Sequence, residues 1–124
     1  MNEIENDHLT YSIIGCAMNV HNQIGCGFQE VIYQKCLALE LNKQGLSFAR
    51  EIAMPIFYNE IKVGSRRVDF IVENEVMLEL KAVVRLEDVH LAQGINYLNV
   101  YDLYRGLLLN FGNTKLEVKR LFRR

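Results

Sequence analysis

A chain of 124 residues, 50% hydrophobic and 23% charged, is long enough for one domain with a buried core, and its composition excludes a disordered segment. Its net charge of −1 provides no overall basic field for nucleic acid, and no apolar run approaches the roughly 20 residues of a membrane span. The opening stretch Met1–Asp7 is acidic and lacks the basic-then-apolar order of a signal peptide, so a soluble cytoplasmic protein is expected.

No repeat, low-complexity tract or linker interrupts the chain, which reads as one domain over 1–124. The first periodic segment, Asp7 to Ile24, repeats Leu9, Ile13, Ala17, Val20 and Ile24 at helical steps, with Asp7 as cap and Gly25 as stop. A second helix is expected from about Gln29 to Gln44. Its buried stripe would be Ile32, Tyr33, Cys36 and Leu39, and Gly45 its left-handed cap.

The period then shortens to that of strands. Phe48 to Tyr58 is the first, with Pro55 marking an edge or bulge; Lys62 to Val72 is the second, disturbed near Gly64 and Ser65; Val76 to Ala82 is the third. Tight turns at Asn59-Glu60 and Glu73-Asn74 make these an antiparallel meander. A helix from Glu87 to about Asn99 follows, then an apolar strand, Arg105 to Phe111, that reads as buried on both faces, and a last strand, Lys115 to Leu121. A helix between the third and fourth strands places those two parallel or far apart, by a right-handed crossover. The order from the second helix is αβββαβ, plus one helix before and one strand after: an α/β sandwich around a mixed sheet.

Cys16, Cys26 and Cys36 are odd in number and none lies in a C-x-x-C pair, so they read as buried or idle thiols. The chemistry lies elsewhere. In Glu79-Leu80-Lys81, strand alternation points Glu79 and Lys81 one way while Leu78, Leu80 and Ala82 point the other. The Glu73-Asn74 hairpin brings Asp69 opposite this stretch, with Asp69 on the same polar face and Val68, Phe70 and Val72 facing the core. Two acids beside a lysine suit phosphodiester hydrolysis, since hard Mg2+ or Mn2+ prefers carboxylate and carbonyl oxygens. By itself an E-x-K reads first as a cross-strand ion pair at the surface. Glu30 near a helix start is equally a dipole-stabilising acid. Gln93 and Tyr97 share a helix face, with His90 close to it, yet each alone reads as an ordinary core or surface residue.

In combination these segments resemble the bacterial GxxExxY family, named for the run that stands here as Gly27-Phe28-Gln29-Glu30-Val31-Ile32-Tyr33. The resemblance extends through His21–Gly25, Arg67–Phe70, Glu79–Ala82, the helix with His90, Gln93, Asn96 and Tyr97, and Leu109–Gly112. That family is assigned to the PD-(D/E)XK nuclease superfamily, with its restriction-endonuclease-like αβββαβ core. The resemblance implies that Asp69, Glu79 and the Leu80 carbonyl bind Mg2+ (or Mn2+), that Glu30 completes the metal shell as in RecB-like members, and that Lys81 is the catalytic lysine. Gln93 and Tyr97 would support the lysine or touch the DNA backbone. Val68 stands where the superfamily's proline precedes the aspartate, and the four-cysteine iron–sulfur clamp of some relatives is absent.

The expectation is therefore a metal-dependent deoxyribonuclease acting on DNA, with RNA also open and no membrane partner. So small a core suggests a homodimer or a larger protein partner. Arg66 and Arg67, with Lys119 and Arg120 of the basic C-terminal stretch, are candidate phosphate contacts, although from charge alone such a tail reads first as a solvated one. The alternative is a nucleic-acid-binding or assembly module that keeps the nuclease fold without cleaving.

Overall fold

The computed structural model describes residues 7–123. The acidic run Met1–Asn6 and Arg124 of the basic tail lie outside the described residues. Among those described, no helix is long and apolar enough to cross a membrane.

α1 (His8–Ile24) begins where the Asp7 side chain accepts from the Thr10 N–H at 3.0 Å; it buries Ile13, Ala17 and Val20 of the expected stripe, with Cys16 beside them, while Leu9 and Ile24 are half-buried. α2 (Glu30–Lys43) ends in a Schellman motif: Gly45, at φ +72°, donates to Asn42 and Leu46 donates to Leu41. Its buried face is Tyr33, Gln34, Leu37, Ala38 and Leu41, which corrects the expected stripe, since Leu39 is 64% exposed and Ile32 38% exposed. Both sets recur at helical spacing, so periodicity alone could not choose between them. Tyr33 is common to both; its ring stacks on Phe111 at 4.6 Å, and Leu37 and Leu41 follow it one and two turns on, which sets the phase of the buried face. Cys16 is buried, Cys36 half-buried and Cys26 exposed, all as free thiols.

The remaining elements are β1 (Phe48–Tyr58), β2 (Ile61–Val72), β3 (Val76–Lys81), α3 (Asp88–Val100), β4 (Arg105–Asn110) and β5 (Glu117–Phe122). The sheet order is β1-β2-β3-β4-β5, antiparallel except for the parallel β3–β4 pair that α3 connects. Asn59-Glu60 and Glu73-Asn74 all have positive φ, which is the conformation of two-residue hairpin turns. The result is a five-stranded mixed sheet flanked by three helices, a restriction-endonuclease-like α/β fold.

Two cores sandwich the sheet. One lies under α1 and α2 and takes Phe70, Val72, Leu78, Leu80, Leu107 and Leu109. The other lies under α3 and takes Met77, Leu98, Leu108 and Leu121. β4 therefore feeds both, as its unbroken apolar run requires. Val68 does not share a core with Phe70 and Val72 as the alternation suggested; it packs in the second. The reason lies in the β1–β2 ladder, which holds one register from Phe48↔Val72 to Ile56↔Gly64 but omits the Glu51/Asp69 position. There Glu51 adopts φ +51°, and side-chain alternation switches faces on both strands. A second irregularity, at Ile56/Phe57, leaves Val63 unpaired beside Gly64, next to the disturbance expected there.

Candidate active site

The β2–β3 ladder contains only Phe70↔Leu78, Ile71↔Met77 and Val72↔Val76. Beyond it the strands part, and side chains take over the bonding. The Leu80 N–H donates to Asp69 Oδ2 at 2.7 Å, and the Asp69 N–H donates to Glu79 Oε1 at 3.1 Å. The two acids thus meet where the ladder opens, each carboxylate anchored by the other strand's backbone. This places Asp69 differently from the expectation that it shares one face with Glu79 and Lys81. Its Oδ1 accepts from Gln34 Nε2 at 3.0 Å, and Gln34 belongs to α2 on the opposite side of the sheet from α3. Glu79 follows Met77 on the α3 side, 7% exposed, and Lys81 is half-buried at the end of the same strand.

Bringing these acids together is electrostatically unfavourable. Burial, and then the neighbouring Asp69 charge, push the Glu79 carboxyl up to about 8 against the Asp69 N–H and Lys81, while the Glu30 charge adds to the rise. Burial also raises Asp69, opposed by the bonds from Leu80 and Gln34 and by Lys81, and Glu51 across the sheet adds to its rise. A buried pair of like charges with one lysine beside it is short of positive charge. The donor set, two carboxylates with a backbone carbonyl at hand, consists of hard oxygens and fits a divalent cation of the Mg2+ type.

Glu30 heads α2 and is exposed, so it acts on Glu79 through its charge. Among the described residues no three His, Cys, Asp or Glu side chains come close enough to hold a metal between them. The Tyr33 hydroxyl donates to the Gly25 carbonyl at 2.6 Å and accepts from the Phe28 N–H at 3.3 Å. The tyrosine of the Gly27–Tyr33 run therefore ties down the turn from which Glu30 emerges.

On α3, Gln93 and Tyr97 are half-buried, and the Arg66 guanidinium lies 5.6 Å from the Tyr97 ring centre. His90 caps the helix instead, its Nδ1 accepting from the Glu87 N–H at 2.9 Å. Arg67 is exposed on β2 two residues from Asp69. Lys119 and Arg120 are exposed on β5, but they alternate: Leu121 places Lys119 on the α3 side, whereas Arg120 stands over Tyr11 of α1 at 5.2 Å. The structure therefore does not bring Lys119 and Arg120 onto one surface.

Residues that sequence reasoning passed over complete the site. Gln34 is buried and uses both ends of its amide, since its Oε1 accepts from Arg50 Nη2 at 2.8 Å. Asn110 is fully buried; its Oδ1 accepts from Val83 and Gly112, and its Nδ2 donates to the Val83 carbonyl and Glu117. It pins the chain directly after Lys81. Tyr101, the C-cap of α3, bonds through its hydroxyl to Ile52, Arg66 and Val68 around the strand switch. A polar residue directly after Tyr33 was the available signal for Gln34, whereas nothing local marked Tyr101.

The family model of the PD-(D/E)XK nuclease superfamily matches residues 7–121. The chain belongs to the PD-(D/E)XK nuclease superfamily. A solved structure titled "Crystal structure of SSO0001" shares the fold of this PD-(D/E)XK chain at a TM-score of 0.61 and 17% identity, covering 76% of this chain. The match spans 50% of that chain. No protein of curated function matches it. Within a PD-(D/E)XK chain, Asp69 and the Glu79-Leu80-Lys81 stretch stand in the order of the name, on adjacent strands.

Proposed function

We propose that this protein is a Mg2+- or Mn2+-dependent deoxyribonuclease, a single domain over 1–124, related to the GxxExxY group and the RecB-like branch. The observation that carries this reading is the meeting of half-buried Asp69 and buried Glu79 at the opening of the β2–β3 ladder, with Lys81 two residues further along β3. Asp69, Glu79 and the Leu80 carbonyl would hold the ion, with Glu30 facing it from the head of α2. When bound, such an ion lowers the pKa of water and neutralises charge on the phosphate. Lys81 steadies the attacking water or the charge growing on the phosphate oxygens. Gln93 and Tyr97 flank the lysine from α3; Arg67 contacts a backbone phosphate, and Arg66, over Tyr97 on the other side of β2, does so from the α3 side. Cytoplasmic DNA is the substrate, and a homodimer or larger partner supplies further grip.

The test is cleavage of labelled single- and double-stranded DNA with Mg2+ or Mn2+, comparing wild type with Asp69→Ala and Lys81→Ala. Metal-dependent cleavage that falls by roughly 100-fold or more in both variants is expected. If the folded wild type binds nucleic acid and metal but cleaves none, the second reading holds, that of a binding module on a nuclease fold. The exposure of Glu30, which leaves the ion two close carboxylates, is the observation that favours that reading.

A further inference from the structure

β1 and β2 are 11 and 12 residues long, whereas β3, β4 and β5 have 6 each. Because β2 pairs with β3 only at Phe70, Ile71 and Val72, the far part of the β1–β2 hairpin leaves the sheet as an arm. Every β2 residue from Ile61 to Arg67 is exposed, and at strand rise the tip stands roughly 25 Å from Asp69. The tip carries Phe57, Tyr58, Ile61 and Val63, each between 60% and 70% exposed, a concentration of apolar surface that marks an interaction site.

The two sides of the arm differ. Ile52 and Val68 pack in the second core and Arg66 stands over Tyr97, so this alternation set faces α3. Followed outward through the ladder, it carries Met54 and Ile56 and, past the bulge, Tyr58 with Ile61. The opposite side presents Phe57 paired with Lys62, then Ser65, then Arg67, and leads back to the Glu51/Asp69 position. No acid interrupts it between the tip and Glu51, although the chain as a whole has a net charge of −1.

We propose that this second side is a track for the DNA flanking the bond to be cut: Lys62 and Arg67 hold phosphates, and Phe57 packs on a sugar or base. The inference rests on the nuclease reading above. Charge complementarity selects DNA as the occupant, since both ionised side chains here are cations and the track ends at Asp69, which meets Glu79 where the β2–β3 ladder opens. A two-stranded ribbon also has the cross-section that a major groove accepts. The rival outcome is that the apolar α3-facing side, with Tyr58 and Ile61, binds a second copy of the chain and the arm holds no DNA.

Affinity for a labelled duplex, measured by anisotropy across salt concentrations with Ca2+ in place of Mg2+, tests this. In the Lys62→Ala/Arg67→Ala double variant, binding should weaken about tenfold and the salt slope should shrink by about 2. Phe57→Ala should weaken binding with the slope unchanged, while Tyr58→Ser/Ile61→Ser stays within about twofold of wild type. An unaltered slope in the double variant overturns the track. So does loss of DNA binding confined to Tyr58→Ser/Ile61→Ser with a change from dimer to monomer in light scattering. Wild type that binds no DNA at all defeats the nuclease reading itself, whereas DNA binding untouched by the double variant defeats only the arm.

Discussion

At the scale of single residues, the candidate site is a pair of carboxylates aimed by their hydrogen-bond partners. Gln34 is the clearest case. Because Arg50 occupies its carbonyl oxygen, the amide is fixed with its NH2 towards Asp69. Removing it in Gln34→Leu leaves Asp69 with one fewer donor and free to rotate, which should weaken Mn2+ binding about tenfold by calorimetric titration. Gln34→Glu keeps an acceptor for Arg50 but turns an oxygen towards Asp69, and should do no better than Leu. Wild-type affinity in Gln34→Glu would remove Gln34 from the site. Asp69→Asn as a control distinguishes that result from a protein that binds metal elsewhere.

At the scale of elements, the loop after β3 is held by close backbone contact. A Cβ at Gly112 would fall among backbone atoms of Ala82 and Val83, and the Asn110 side chain stitches the same loop to Gly112. Gly112→Ala must therefore displace backbone, with a destabilisation of about 2 kcal/mol or more in urea melts. A loss near zero would mean that the loop yields freely and does not position Lys81. The boundaries of the elements were largely legible in the sequence: Asp7 and Gly45 cap where their chemistry predicts, and the turns at Asn59-Glu60 and Glu73-Asn74 fall as read. Position within an element was less legible. The phase of α2 depended on the Tyr33–Phe111 stack, a contact between residues 78 positions apart in number, and helical period says nothing about that. The switch at Glu51 is a left-handed residue of a type that marks no turn, so Asp69 was read onto the wrong side of its strand. The site residues on regular strand, Glu79 and Lys81, followed alternation and were placed correctly.

For the whole molecule, the site and the stability of the fold pull in opposite directions, and pH exposes this. Glu79, with burial and the Asp69 charge pushing its carboxyl from 4.5 to about 8, holds a proton in the folded state that the unfolded chain has already released. Its contribution to stability is therefore fully present below about pH 4.5 and is lost as pH rises towards 8. Glu79→Gln stays neutral at every pH and keeps an oxygen for the Asp69 N–H. In chelator, the variant should melt close to wild type near pH 4.5 and well above it near pH 8, by on the order of a few kcal/mol. If Glu79 is a ligand of the proposed ion, the gain should disappear when a saturating divalent ion is added, because an ion held by the wild-type carboxylate stabilises the folded state by mass action. Parallel melting curves for the two proteins across this pH range would mean that Glu79 is ionised without strain in the folded chain. The electrostatic case for a bound cation would then fail, even if cleavage were observed.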